Sequence, residues 1–110
     1  MLKRFGQVIR LRPEAEEKYK RIHVKIWPVV EEAIREAGIR NYNIFLKDGF
    51  LFAYYEYHGP DDEFEARMDK LAQVSRESGW WDITEPMQQP LETRLSGEWW
   101  ASMEQVFFQE

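Results

Sequence analysis

Apolar and polar residues alternate from Phe5 to Leu11. Phe5, Gln7, Ile9 and Leu11 fall on one side, and Gly6, Val8 and Arg10 on the other. A period of two predicts a first strand. Arg12-Pro13 ends it. Pro13 suits the first turn of a helix, and Glu14, Glu16 and Glu17 suit its positive end. The pattern predicts a helix from Pro13 to about Ile26. Pro28 cannot continue that helix without a kink, so a second segment is expected over Trp27–Ala37, with Gly38 as its C-cap.

Alternation returns over 41–47, with Tyr42, Ile44 and Leu46 on one face. Asp48-Gly49 is a strong hairpin signal, and Phe50 to Tyr57 is the return strand. The two-residue turn predicts Leu46 opposite Leu51, Ile44 opposite Ala53 and Tyr42 opposite Tyr55. Phe45 and Phe52 then pair on the other face. Both faces are apolar or aromatic, so both should be covered. Asp61 is the expected cap of a helix over 62–75 that buries Phe64, Met68, Leu71 and Val74. Trp80 to Glu85 reads as a short helical turn, Pro86 to Gly97 as a long loop, and Glu98 to Phe108 as a last strand.

The order strand, helix, strand, strand, helix, strand is the split βαβ plan. It predicts an α+β, ferredoxin-like βαββαβ protomer. An aromatic-rich second sheet face predicts a homodimer packed sheet to sheet, of the dimeric α/β-barrel type.

At 110 residues, a single domain over 1–110 is expected. Aromatic residues make up 15% and include five Trp, too many for one small core. Some should line a pocket or an interface. Net charge −5 and the absence of a basic footprint argue against nucleic acid. There are no cysteines, no stretch of signal-peptide character and no run long enough to span a bilayer. The expected setting is cytoplasmic, without membrane partners.

The candidate chemistry is narrow. Tyr19 and His23 are four apart on one helix face, with Trp27 four further on. A histidine of near-neutral pKa can exchange a proton at cellular pH, beside a tyrosine that can bind a hydroxyl. The same spacing also describes an ordinary packed helix face. His58, before Gly59-Pro60, reads as a solvated turn residue. Trp80-Trp81 and Trp99-Trp100 could each send one ring to the core and one to a cavity or edge. An exposed indole can stack on the apolar face of a sugar. Asn43 could reach ligand hydroxyls, or be a solvated strand residue. No phosphate loop, dinucleotide motif or serine elbow is present. The two histidines have no metal-ligand spacing. Proton transfer or pure binding remains.

The run Tyr19-Lys20-Arg21-Ile22-His23-Val24-Lys25-Ile26-Trp27-Pro28 resembles the YxxxHxxIWP signature of the L-rhamnose mutarotase family. Asn41-Tyr42-Asn43-Ile44, Leu51-Phe52-Ala53 with Glu56, Trp80-Trp81 and Met103-Glu104-Gln105-Val106-Phe107 resemble its later segments, in order. The resemblance implies a dimeric α+β fold and interconversion of the α and β anomers of L-rhamnose, with no metal or cofactor. By position it implies His23 as the proton-transferring residue, with Tyr19, Tyr42, Trp80 and Trp81 in contact with the sugar. Lys25 departs from the family, whose members often carry Pro there. The loop Pro86-Met87-Gln88-Gln89-Pro90 departs as well.

The mechanism expected is general acid–base catalysis in which His23 delivers and recovers the proton of the ring oxygen. Two alternatives stand beside it. One is a haem-binding or cofactor-free monooxygenase on the same dimeric fold, with His23 as an iron ligand. The other is a non-catalytic sugar-binding module.

Overall fold

The computed structural model describes residues 2–110. Its elements are β1 (Leu2–Leu11), α1 (Glu16–His23), α2 (Pro28–Glu36), β2 (Ile39–Lys47), β3 (Phe50–His58), α3 (Phe64–Glu77), α4 (Trp80–Thr84), β4 (Gln88–Gln89) and β5 (Ala101–Ser102). β3 lies between β1 and β2, and β4 and β5 both pair with the free edge of β1, all antiparallel. This is the strand order of the expected ferredoxin-like plan.

The prolines set the helix boundaries. Pro13 opens a short 3-10 turn before α1. Pro28 sits at the start of α2, with Trp27 extended before it, so the chain turns between His23 and Pro28 rather than kinking. The first helix therefore ends at His23, earlier than the pattern predicts. Asp61 does not cap its helix. It opens a 3-10 turn, and α3 begins at Phe64 with no side-chain cap.

The β2–β3 hairpin turns at Asp48 and Gly49, both with positive φ (53° and 77°), as its sequence demands. Leu46 pairs with Leu51, Ile44 with Ala53 and Phe45 with Phe52. Tyr42 does not pair with Tyr55 in the ladder. The register shifts between Arg40 and Asn43, and Asn41 takes a left-handed φ of 53°. This is a β-bulge. Ile39 and Tyr42 are an odd number of residues apart, so a regular strand would turn them to opposite faces. The bulge lets Ile39 enter the core while the Tyr42 ring meets Tyr55, with 5.2 Å between centroids.

The inner face of the sheet carries two apolar clusters. One gathers Ile9, Leu11, Tyr19, Leu51 and Met87, the other Ala37, Ile39, Tyr55 and Tyr57, with Phe5, Phe64 and Leu71 packed against it. The outer face is open in the protomer. Phe45 is 65% exposed.

The fourth strand differs most from expectation. β4 pairs Gln88 with Leu11 and Gln89 with Arg10; β5 pairs Ala101 with Val8 and Ser102 with Gln7. Residues 90–100 thus leave and rejoin the same edge opposite the single residue Ile9. Beyond Ser102, among the described residues, the backbone bonds back to β1 only through the Met103 amide, to the Gly6 carbonyl at 2.8 Å. The rest of the predicted strand is unpaired, with Val106 87% and Phe107 76% exposed. Its apolar alternation matches a strand, but after Met103 the chain leaves the edge of β1, which itself runs on to Leu2.

Candidate active site

A cavity of about 460 Å³ opens between the two core clusters, lined by residues of both. It is large enough for a monosaccharide and lies within the usual range of small-molecule sites. The sheet supplies Gln7, Tyr42 and Tyr55, α1 supplies Tyr19 and His23, α4 supplies Trp80 and Trp81, and the 90–100 excursion supplies Trp99 and Trp100. All five expected site residues, Tyr19, His23, Tyr42, Trp80 and Trp81, line this one cavity. A second cavity of about 480 Å³, toward α2, shares His23, Tyr42, Ile44 and Trp80 with it.

His23 is the last residue of α1. Its Nδ1 lies 2.7 Å from the Tyr19 carbonyl oxygen one turn back. A carbonyl can only accept, so Nδ1 carries a proton and Nε2 is the free nitrogen. The ring stacks on Tyr19 at 4.1 Å and meets the edge of Trp80 at 5.3 Å. Burial lowers its pKa below 6.5, opposed by the bond to Tyr19. The resting imidazole is therefore neutral at pH 7, with an acceptor lone pair on Nε2.

Tyr19 is buried (5% exposed), and burial pushes its phenol up to about 12, against the lowering effect of Gln88. Tyr42 is 41% exposed as a residue, yet it lines the cavity. Burial raises that phenol, and Tyr55 and Tyr19 add to the rise. Burial raises Tyr55 too, opposed by a hydrogen bond with Gln7. All three tyrosines are neutral hydroxyls at pH 7, able to donate and to accept.

The tryptophans divide as their pairing suggested. Gly79, at φ 90°, breaks α3 from α4 in a conformation that suits glycine. Trp80 then turns inward, 7% exposed, against His23 and Trp27. Trp81 is half-buried, with the Arg76 guanidinium 5.4 Å from its ring. Trp100 packs against the first core cluster, and Trp99 is 38% exposed.

Sequence reasoning missed Gln88. It is 4% exposed, accepts the Trp99 indole N–H at 2.8 Å and donates its amide to the Tyr19 hydroxyl at 3.1 Å. A glutamine in a proline-flanked polar stretch gave no periodic signal. Gln7, Tyr55, Arg76 and Glu85 also line the cavity. Of these, the inward positions of Gln7 and Tyr55 were readable from strand alternation, but their chemistry was not.

Asn43 does not line the cavity; its amide donates to the Asn41 carbonyl at 2.9 Å. His58 lies outside it as well. There Glu56 accepts from Asn41 (2.9 Å) and Tyr54 (2.7 Å), with His58 at 2.7 Å, and these three partners hold its carboxyl down at about 2. Among the described residues no cluster of three His, Cys, Asp or Glu side chains could hold a metal ion, and no helix is long and apolar enough to cross a membrane.

The sequence of a family described as L-rhamnose mutarotase matches residues 4–109. An L-rhamnose mutarotase of Lactiplantibacillus plantarum is 37% identical over 76% of this chain and 78% of its own. One of Listeria monocytogenes is 35% identical over 78% and 80%. The crystal structure of an L-rhamnose mutarotase from Formosa agariphila shares the fold, with a TM-score of 0.70 at 23% identity over 98% of this chain and 99% of that one. On these grounds, with nearly every described residue inside the match, the chain belongs to the L-rhamnose mutarotase family.

Proposed function

We propose that the protein is an isomerase that interconverts the α and β anomers of L-rhamnose by general acid–base catalysis, with His23 as the proton-transferring group. The observation that carries the reading is the His23 imidazole. It is held neutral by burial and fixed through Nδ1, and it belongs to a cavity lined with neutral tyrosine hydroxyls and indole rings. The family match supplies the sugar.

Mutarotation opens the hemiacetal ring and closes it on the other face of the carbonyl. The anomeric hydroxyl gives up its proton, the bond from the anomeric carbon to the ring oxygen breaks, and the ring oxygen leaves with that electron pair and takes a proton. A neutral imidazole whose one N–H is already engaged has no proton to give at Nε2. We therefore assign Nε2 to the anomeric hydroxyl. This revises the expectation that His23 first protonates the ring oxygen. The ring-oxygen proton is assigned to the Tyr19 hydroxyl, since an alkoxide is a stronger base than a phenolate. Both protons return on reclosure. Tyr42 holds a further hydroxyl, and one ring of the Trp80–Trp81 pair, the more open Trp81, covers the apolar face of the sugar.

A second copy of the chain covers the outer face of the sheet. Exposed Phe45, Phe52, Val106, Phe107 and Phe108 support this, since apolar groups in such number are costly to leave in water. The cytoplasmic setting rests on the cysteine-free composition.

The test is proton NMR of equilibrated L-rhamnose. Saturating one anomeric proton should pass magnetisation to the other faster with protein present, and His23→Ala should abolish the gain. Transfer with another free sugar but not with L-rhamnose would keep the reaction and change the substrate. No transfer with any sugar would overturn the reading.

A further inference from the structure

We infer that Gln88 is a positioning residue that makes the Tyr19 hydroxyl a donor toward the cavity, and that it ties this donor to the seat of the 90–100 excursion through Trp99. The inference deepens the function proposed above and rests on it.

An indole N–H can only donate. Trp99 Nε1 lies 2.8 Å from one polar atom of the Gln88 amide, so that atom must be the carbonyl oxygen. This leaves the amide –NH₂ facing the Tyr19 hydroxyl at 3.1 Å. An –NH₂ group cannot accept in this geometry. The Tyr19 oxygen therefore accepts, and its own proton is free to point elsewhere. Tyr19 lines the cavity, and among the described residues no other hydrogen bond engages its hydroxyl. The proton is available to a bound sugar. With burial holding the phenol neutral, one buried amide fixes both the direction and the presence of that donor.

Gln88 is well placed for this role. It sits in β4, paired with Leu11 at the point where the excursion departs, so its backbone is held by the sheet. The excursion closes on itself further on: the Glu98 carboxylate accepts from the Leu95 amide at 3.0 Å and from the Ser102 hydroxyl. Trp99 is next to Glu98. Seating the excursion thus delivers the indole N–H that orients Gln88, and Gln88 delivers the donor proton of Tyr19.

Gln88→Glu separates orientation from packing. The variant keeps size and shape. When ionised, its carboxylate still accepts from Trp99, but it also accepts from Tyr19, which turns the phenolic proton away from the sugar. When protonated, its O–H donates to Tyr19 as the amide did. The ionisable groups facing this cavity are Tyr19, His23, Tyr42, Tyr55, Arg76 and Glu85. Their own titration is removed by taking the ratio of variant to wild type at each pH. The expected result is an exchange rate roughly tenfold below wild type at pH 8, with the ratio climbing toward one as pH falls and the new carboxyl protonates. Trp99→Phe, which removes the indole N–H but keeps an aromatic ring, should lower the rate severalfold without the pH recovery. A Gln88→Glu variant matching wild type at every pH, while wild type exchanges anomers, overturns the inference and leaves the proposed function standing. A variant folded by circular dichroism but equally slow at every pH overturns it too, in favour of a packing role. No exchange by wild type overturns the proposed function, and the inference falls with it.

Discussion

Asn41 donates its amide to Glu56 at 2.9 Å from the position in β2 that holds a left-handed backbone. The bond ties down the bulge that lets Ile39 and Tyr42 share the inner face, beside the cavity. Asn tolerates that backbone better than other non-glycine residues, because its short polar side chain can bond locally. Asn41→Ala should therefore cost about 1–2 kcal/mol of stability. It should raise KM for the sugar severalfold with less effect on kcat. Asn41→Gly keeps the backbone and should be milder. Urea denaturation and the concentration dependence of anomer exchange measure both.

Lowering of the His23 pKa by burial fixes a sign. A buried base with a folded-state pKa below 6.5 contributes stability that is fully present above pH 6.5 and is lost as pH falls through the lowered value. Exchange should fall over the same range, because only neutral Nε2 can accept. His23→Ala should reduce exchange by about 10²–10⁴-fold and remove this limb from the pH profile. A profile that rises as His23 protonates would instead place it as the initial acid.

The three raised phenols act at the other end of the scale. A tyrosine whose folded pKa exceeds 10 contributes stability present below pH 10 and lost as pH climbs through the folded value. Tyr19→Phe should soften this alkaline decline in a thermal-melt series, and it should slow exchange at pH 7.

Trp80 and Trp81 should separate by experiment. Trp80 is buried against His23 and Trp27, so Trp80→Ala should cost about 3–5 kcal/mol. Trp81 is half-buried. Trp81→Ala should cost roughly 1 kcal/mol and show itself mainly as weaker sugar binding. Chemical denaturation paired with sugar titration by tryptophan fluorescence distinguishes the two.

The open sheet face carries its own test. Phe45→Glu or Val106→Glu should lower the mass seen by sedimentation equilibrium from two chains to one if a second copy covers this face. A wild-type protein that sediments as one chain would remove the dimer.

Alternation and the Asp48-Gly49 turn made the hairpin legible to its pairing, and the spacing of Tyr19 and His23 placed both on one face. The resemblance then named five of the residues that line the cavity. What stayed hidden depended on exceptions to period. A one-residue bulge at Asn41 leaves no mark in hydrophobicity, yet it decides that Ile39 joins the core on the same face as Tyr42. Gln88 lies in a two-residue strand, too short for any period to register. The end of the chain reads as a strand through Phe108 because its side chains alternate, but alternation does not make a ladder: after Met103 the backbone leaves the edge of β1, although β1 itself runs on to Leu2.

The interrupted edge strand has a further consequence. Because residues 90–100 leave and return opposite one residue of β1, the ladder on either side does not register how long the excursion is. Loop closure penalises added residues only weakly. Provided Trp99 is kept to orient Gln88, the segment behaves as a replaceable cassette: shortening, extending or exchanging the rest would redraw one wall of the cavity while β1, His23 and the tyrosines stayed where they are. A change of sugar would then require remodelling this single stretch rather than the sheet beneath it.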